Sequence, residues 1–213
     1  MDDGINEDVI TLLNENYQDN EDHLLKSLET KSSISSIILK SCFLTTQNFT
    51  KLINAIKDPS YIFEIDLSNN NLGSFIIPNL FGNSLSPTTL ILDNINLGDD
   101  GFILLSKYVE NVRILSVSSN HITSRGAIVF FNSISNSFTS LNLSNNNIDD
   151  SAIFSMKTDI KKLDLSSNNF TQCGLTSLSE KLSKSHIKSL SLNDMKLPKN
   201  SLSLLVKSKS LKQ

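Results

Sequence analysis

Residues 141–148 read LNLSNNNI, and the same frame returns as IDLSNNNL (65–72), LSVSSNHI (115–122) and LDLSSNNF (163–170). In each, two apolar residues alternate with a variable one, and an Asn then precedes a last apolar residue by two positions. Three weaker copies share the frame: IILKSCFL (37–44), LILDNINL (90–97) and LSLNDMKL (190–197). Their first residues fall at 37, 65, 90, 115, 141, 163 and 190, with spacings of 28, 25, 25, 26, 22 and 27. Such a period marks a stack of units, none of which can bury its apolar face alone.

The alternating Leu and Ile of each copy share one face of a short strand. Asn70, Asn120, Asn146 and Asn168 stand where the chain leaves the strand, and a buried amide there can satisfy turn N–H and C=O groups. Stacked copies predict an Asn ladder. Cys42, Ile95 and Met195 occupy the same position in the weak copies. Ile95 and Met195 offer no amide, so irregular turns are expected there, with Asn94 or Asn96 and Asn193 or Asp194 as substitute partners. The segments behind the strands read as helices. Phe102, Leu105 and Val109 form one stripe, residues 126–134 and 174–182 repeat the device, and residues 76–85, with Pro78 and Gly82, predict a short helix. The 22-residue fifth repeat leaves room for little more than one turn.

This frame resembles the leucine-rich-repeat family over about residues 34–211, and the longer repeats with helical back halves look like its ribonuclease-inhibitor-like subclass. The resemblance implies an α/β solenoid, a horseshoe with a parallel concave sheet and helices on the convex side. Residues 1–33 are expected to form an N-terminal helical cap, and 34–213 a leucine-rich-repeat domain of seven repeats with a C-terminal helical end. Short helices are expected in VITLL (9–13) and HLLKSL (23–28), the second with Asp19 or Asn20 as N-cap. The chain then ends on a lysine-rich segment in which Leu211 stands as if another repeat were starting.

The 213 residues carry 38% hydrophobic content, a net charge of −3 and no apolar run long enough to span a membrane. The mild acidity argues against nucleic acid as partner, and the acidic start MDDGINEDVI predicts a cytoplasmic protein. Residues 1–30 hold nine acids against Lys26, whereas 154–213 hold eleven lysines against four acids, so the stack is an electric dipole. Solvated ends explain this most simply. Steering of a partner or head-to-tail self-association are the alternatives, and a monomer is expected.

No catalytic, metal or cofactor site is expected. His23, His121 and His186 lack ligand spacing, Cys42 lies on the buried ladder, and Cys173 has no neighbouring His. Three N-x-S/T sequons, at Asn48, Asn142 and Asn169, follow from the abundance of Asn and Ser. What remains is a non-catalytic module that binds a protein through its concave sheet and rim loops.

The repeat register aligns three outward rows. Ser36, Glu64, Thr89, Ile114, Ser140, Lys162 and Ser189 form the first; Ile38, Asp66, Ile91, Ser116, Asn142, Asp164 and Ser191 the second. Lys40, Ser68, Asp93, Ser118, Ser144, Ser166 and Asn193 form the third. Aromatic anchors are missing from these rows. Seven strands expose roughly 500 Å² of sheet, below the about 800 Å² per partner of a standard interface, so rim residues must contribute. The candidate contacts are Glu64, Asp66, Ile91, Asp93, Ile114, Asn142, Asp164 and Asn193 on the sheet. Asn94, His121, Arg125, Asp149 and Asp150 are the candidates on the rim.

Residues with GC-rich codons are scarce (Ala 3, Gly 7, Pro 4, Arg 2), which suggests an AT-rich genome. One version of the reading is therefore a translocated bacterial effector acting on a host protein in the host cytosol, with a cytosolic protist adaptor or scaffold as its rival. A third reading resembles the Ran GTPase-activating protein, also a leucine-rich-repeat protein, which places an arginine in a rim loop; Arg125 would take that part.

Overall fold

A computed structural model describes residues 9–195 apart from 32, 83–84, 157–158 and 183–184. The acids of residues 1–8 and the lysine-rich end with Leu211 lie outside the described residues. Eight parallel strands form one open sheet in strict sequence order, β1-β2-β3-β4-β5-β6-β7-β8. The strands are β1 (Val9–Leu13), β2 (Ser36–Lys40), β3 (Glu64–Asp66), β4 (Thr89–Ile91), β5 (Ile114–Ser116), β6 (Phe138–Asn142), β7 (Ile160–Asp164) and β8 (Ser189–Ser191). Between them lie α1 (Tyr17–Thr30), α2 (Thr46–Ala55), α3 (Ile76–Phe81), α4 (Gly98–Leu105), α5 (Ser124–Ser133), α6 (Asp150–Ser155) and α7 (Gln172–Leu182). Single 3-10 turns at Pro59–Tyr61 and Val109–Asn111 lead into β3 and β5.

Alternation decides which way each strand faces. Ile65 and Leu67, Leu90 and Leu92, Leu115 and Val117, Leu141 and Leu143, and Leu163 and Leu165 are all buried between sheet and helices. The helices seal the other side with Phe102, Phe130 and Phe131, joined by Phe138 from the start of β6; the rings of Phe102 and Phe130 stack at 4.1 Å between centroids. As expected, α3 and α6 are short, six residues each.

Each ladder Asn serves the turn of the repeat before its own. Asn120 Oδ1 accepts from Ile95 N (3.1 Å) and Leu97 N (3.0 Å), while its Nδ2 donates to Leu92 O (2.7 Å) and Ser118 O (3.0 Å). Asn70 does the same for Cys42 and Leu44, Asn146 for Asn120 and Ile122, and Asn168 for Ile148. Ile95's own turn is therefore held by Asn120, and the missing amide is felt one repeat earlier. There the Ile95 carbonyl takes over for Leu72 N (3.1 Å), besides accepting from Gly73 N (2.8 Å) as the Asn120 carbonyl does from Gly98 N (3.0 Å). Asn94 and Asn96 are not the substitutes: their side chains donate to Asn69 and Asn71 on the exposed rim. The strand register also continues unbroken from β7 to β8, into the repeat of Met195.

A second system ties helix starts together. Asp99 accepts from Thr123 N and Oγ1, both at 2.7 Å, and Asp150 accepts from Thr171 N (2.8 Å) and Oγ1. Room for these carboxylates comes from glycine in the following helix. A Cβ on Gly126 would meet Asp99 Oδ1 at 2.5 Å, and one on Gly174 would meet Asp150 Oδ1 at 2.1 Å.

The N-terminal expectation of a helix at residues 9–13 is corrected. Val9–Leu13 is a strand paired with β2 over its whole length, Val9 opposite Ser36 through Leu13 opposite Lys40. ITLLNENY (10–17) is thus a further copy of the frame: Ile10, Leu12 and Tyr17 fill the inward positions, and Glu15 stands at the Asn position. A five-residue apolar run does not distinguish helix from strand by itself, and here the open edge of β2 decides it. Residues 23–28 do lie in a helix, α1, but its N-cap is Asn16, whose Oδ1 accepts from Gln18 N (3.0 Å), rather than Asp19 or Asn20.

Asn120→Ala leaves Ile95 N, Leu97 N and Leu92 O without their partner, so unfolding in urea should show a loss of about 3–4 kcal/mol. Tyr17 is fully buried and its hydroxyl has no partner among the described residues. Tyr17→Phe should therefore raise stability by about 1 kcal/mol in the same assay.

Candidate functional site

Strand pairing brings the outward residues into line. Ser36, Glu64, Thr89, Ile114, Ser140, Lys162 and Ser189 are consecutive partners across β2 to β8, as are Ile38, Asp66, Ile91, Ser116, Asn142, Asp164 and Ser191. Glu64, Asp66, Ile91, Asp93, Ile114, Asn142, Asp164 and Asn193 thus belong to one sheet face and its turn edge. Asn94 and His121 stand on the turn rim, where with Asn69, Asn70, Asn71 and Asn96 they line a depression of about 280 Å³.

Asp66 and Asp164 are engaged with their own turns, whereas Glu64 accepts from Ser36 Oγ (3.0 Å) of the preceding repeat. Asp66 is buried, accepts from Ser68 N (3.0 Å) and Ser68 Oγ (2.5 Å), and pairs with Lys40 Nζ at 3.2 Å. Asn142 Oδ1 accepts from Ser144 N and Asp164 Oδ1 from Ser166 N, the i to i+2 bond that short polar side chains make at the end of a strand. Asp93 reaches across instead, accepting from Ser116 Oγ (2.6 Å) and Ser118 N (2.7 Å) of the next repeat. Burial pushes the Asp93 carboxyl above the usual carboxylate range, against those two hydrogen bonds, and the charge of Asp66 adds to the rise.

Arg125 is not in a loop. It stands in the first turn of α5, after the N-cap Thr123, with Nε 3.0 Å from Asp99 Oδ2 and Nη2 2.8 Å from Asp100 Oδ1. Asp149 caps α6 by accepting from Ser151 N (2.9 Å) and also accepts from Ser124 Oγ (2.6 Å). Both aspartates named for the rim, Asp149 and Asp150, therefore hold helix starts. His23 and Cys173 are exposed, and burial pushes the thiol of Cys42 up, which keeps it protonated. Among the described residues no group of three His, Cys, Asp or Glu is placed to hold a metal ion, and no helix is long and apolar enough to cross a membrane.

The outward rows lack aromatics, but their edges do not. Phe43 is 80% exposed and Phe75 78%, and Leu13, Tyr61 and Phe63 are also exposed. All five belong to the part of the stack before β4. Phe43 has φ +53°, at the position that Asn96 and His121 fill with φ +63° and +57° in later repeats. Asn and His tolerate this left-handed backbone, whereas a Phe pays roughly 1–2 kcal/mol for it. With 80% of its surface in water, Phe43 recovers little of that by packing. A register extended one residue past the Asn would have found Phe43.

With this geometry in hand, comparison with known proteins is informative. A family model described as "Leucine Rich repeat" matches residues 110–131, 135–156 and 157–179. Leucine-rich repeats are thus matched over about a third of the chain, within residues 110–179. No curated protein sequence matches it. Among solved structures, a chain in the crystal structure of the yeast Rad7 and Elc1 complex is similar at 16% identity and a TM-score of 0.51, with 88% of this chain and 64% of that one covered. A plant ice-binding protein is similar at 17% identity and a TM-score of 0.48, with coverage of 77% and 50%. This chain thus spans less than two thirds of the length of either, and the likeness to the yeast chain is one of fold.

The position of Asp93 has a measurable consequence. Its raised carboxyl favours the folded state when protonated and opposes it when ionised, so this residue lowers stability at neutral pH. Asp93→Asn keeps an oxygen for Ser116 and Ser118 without the charge. Its urea midpoint should lie above that of the wild type at pH 7, and the gap should close as pH falls and the wild-type carboxyl takes up its proton.

Proposed function

We propose that this protein is a binding module that engages a protein partner through the exposed sheet face and turn rim of its first five strands. Phe43, Phe75 and Ile114 are its apolar anchors. The observation that carries this reading is the pair of nearly fully exposed phenylalanines, one of them held in a left-handed turn that favours other residues. Residues retained against local stability and outside the core are those most often used for contact. Area supports the same reading. The sheet face of five strands offers roughly 400 Å², and two phenylalanines at about 150 Å² or more each bring the surface to roughly 700 Å², close to the about 800 Å² of a standard interface. Leucine-rich repeats suit this use because their surface residues vary without touching the ladder, and the yeast structural neighbour was solved in a complex with another protein.

Asn94 and His121 extend the contact along the rim. Asp66, Asp93, Asn142 and Asp164 take part only with the acceptor capacity their own turns leave them. The reading as an effector delivered into a host cell places the partner in eukaryotic cytosol, which determines the extract to use.

The test is affinity capture from eukaryotic cell extract with three immobilised proteins: wild type, Phe43→Ser/Phe75→Ser, and Val129→Ser/Phe154→Ser on the helical side as control. A partner retained by wild type and control but reduced tenfold or more by the rim pair is the expected result. Equal capture by all three would overturn the proposal. Loss by misfolding is separable, because Phe43→Ser relieves a left-handed aromatic and should leave the thermal midpoint unchanged or higher.

A further inference from the structure

The opposite edge of the sheet, at the N-terminal ends of β5 to β8, has a different chemistry. One residue before the first outward row, pairing continues as Arg113, Thr139, Lys161 and Lys188: Thr139 N donates to Arg113 O at 2.7 Å, and Lys188 N to Lys161 O at 2.8 Å. Lys162, next along β7, begins the outward face beside Ser140 and Ser189. Three lysines and an arginine therefore collect on four neighbouring strands. At about 4.8 Å per strand, the row from Arg113 to Lys188 covers about 14 Å, the length of four or five extended residues.

Two of these cations, Arg113 and Lys161, line a groove of about 470 Å³ together with Ser137, Thr139, Asp159 and His186 among others. Arg113 Nη1 donates to Ser137 O at 3.4 Å, and its other guanidinium N–H groups have no partner among the described residues. Lys161, Lys162 and Lys188 are exposed and form no ion pair among the described residues. Of the carboxylates nearby, Asp159 is engaged by His186 Nδ1 at 3.2 Å, and Asp164 lies two residues further along β7, accepting from Ser166 N. Four cations against the carboxylates Asp159 and Asp164 leave a net positive field here within an acidic protein, beside a groove with hydroxyls.

We propose that this edge is a second binding site, which takes a short acidic extended segment of a protein partner across the N-terminal ends of β5 to β8, with its carboxylates on Arg113, Lys161, Lys162 and Lys188. Size and surroundings select a short segment over a nucleic acid. Asp164, Asp93, Asp66 and Glu64 on the adjoining face repel a phosphate backbone that continues past the cations, and the groove hydroxyls Ser137 and Thr139 can donate to carboxylates. The site is independent of the aromatic rim, which lies at the other edge of the sheet, so either can fail without the other.

Fluorescence anisotropy of a labelled hexaglutamate peptide titrated with the full chain tests this. The wild type should bind hexaglutamate and not hexaglutamine. Raising salt from 50 to 300 mM should weaken binding by about tenfold, because the charges lie about one screening length apart. Lys161→Gln/Lys188→Gln, exposed positions that leave the fold intact by circular dichroism, should weaken it at least tenfold, and Arg113→Gln severalfold. Phe43→Ser/Phe75→Ser should bind hexaglutamate as the wild type does. Undiminished binding by the lysine pair variant would overturn the proposal, as would tighter binding of a labelled oligothymidylate than of the peptide.

Discussion

The buried Asn amide is the interaction on which the rest of the structure depends. The turns that the ladder residues serve carry N–H and C=O groups that point inward, away from water. Asn120, fully buried, places one oxygen against two N–H groups of the preceding repeat and its nitrogen against carbonyls of both repeats. Because each amide serves its neighbour, no repeat is complete alone, and the stack propagates in one register from β2 to β8. The exception shows what the constraint demands: where Ile95 has no amide, its backbone carbonyl takes the role for Leu72 N.

Helix starts obey a parallel rule. Asp99 and Asp150 grip Thr123 and Thr171 of the next repeat, and glycine follows at the one place where a Cβ would collide with them. Arg125 belongs to this system, held by Asp99 and Asp100. Much of the polar chemistry that reads as available in the linear chain is thus committed to joining repeats. The outward carboxylates are similar: Asp66 and Asp164 fasten their own turns, and Asp93 fastens the next repeat.

Two groups of uncommitted side chains lie at the two edges of the sheet, and the edges differ. Phe43 and Phe75 stand on the turn side of the first repeats, while Arg113, Lys161 and Lys188 line the opposite side of the last ones. An apolar anchor supplies contact area after desolvation, whereas exposed cations act at longer range and orient an approaching partner. A single stack can carry both because its surface positions are independent of the ladder beneath them.

The sequence by itself determined the stack: the strand positions, the ladder residues Asn70, Asn120, Asn146 and Asn168, and the outward rows all follow from a local period, since period-two burial and a turn amide need only their own repeat and the next. Its limits have physical causes too. ITLLNENY did not declare itself a repeat because Glu15 replaces the amide and Tyr17 the last Leu, so only the open edge of β2 makes Val9–Leu13 a strand. Arg125 looked like a free loop residue because its partners lie 25 and 26 residues earlier. The tertiary structure alone decided which polar side chains are spent and which are free, because hydrogen bonds between repeats connect residues that no local pattern pairs.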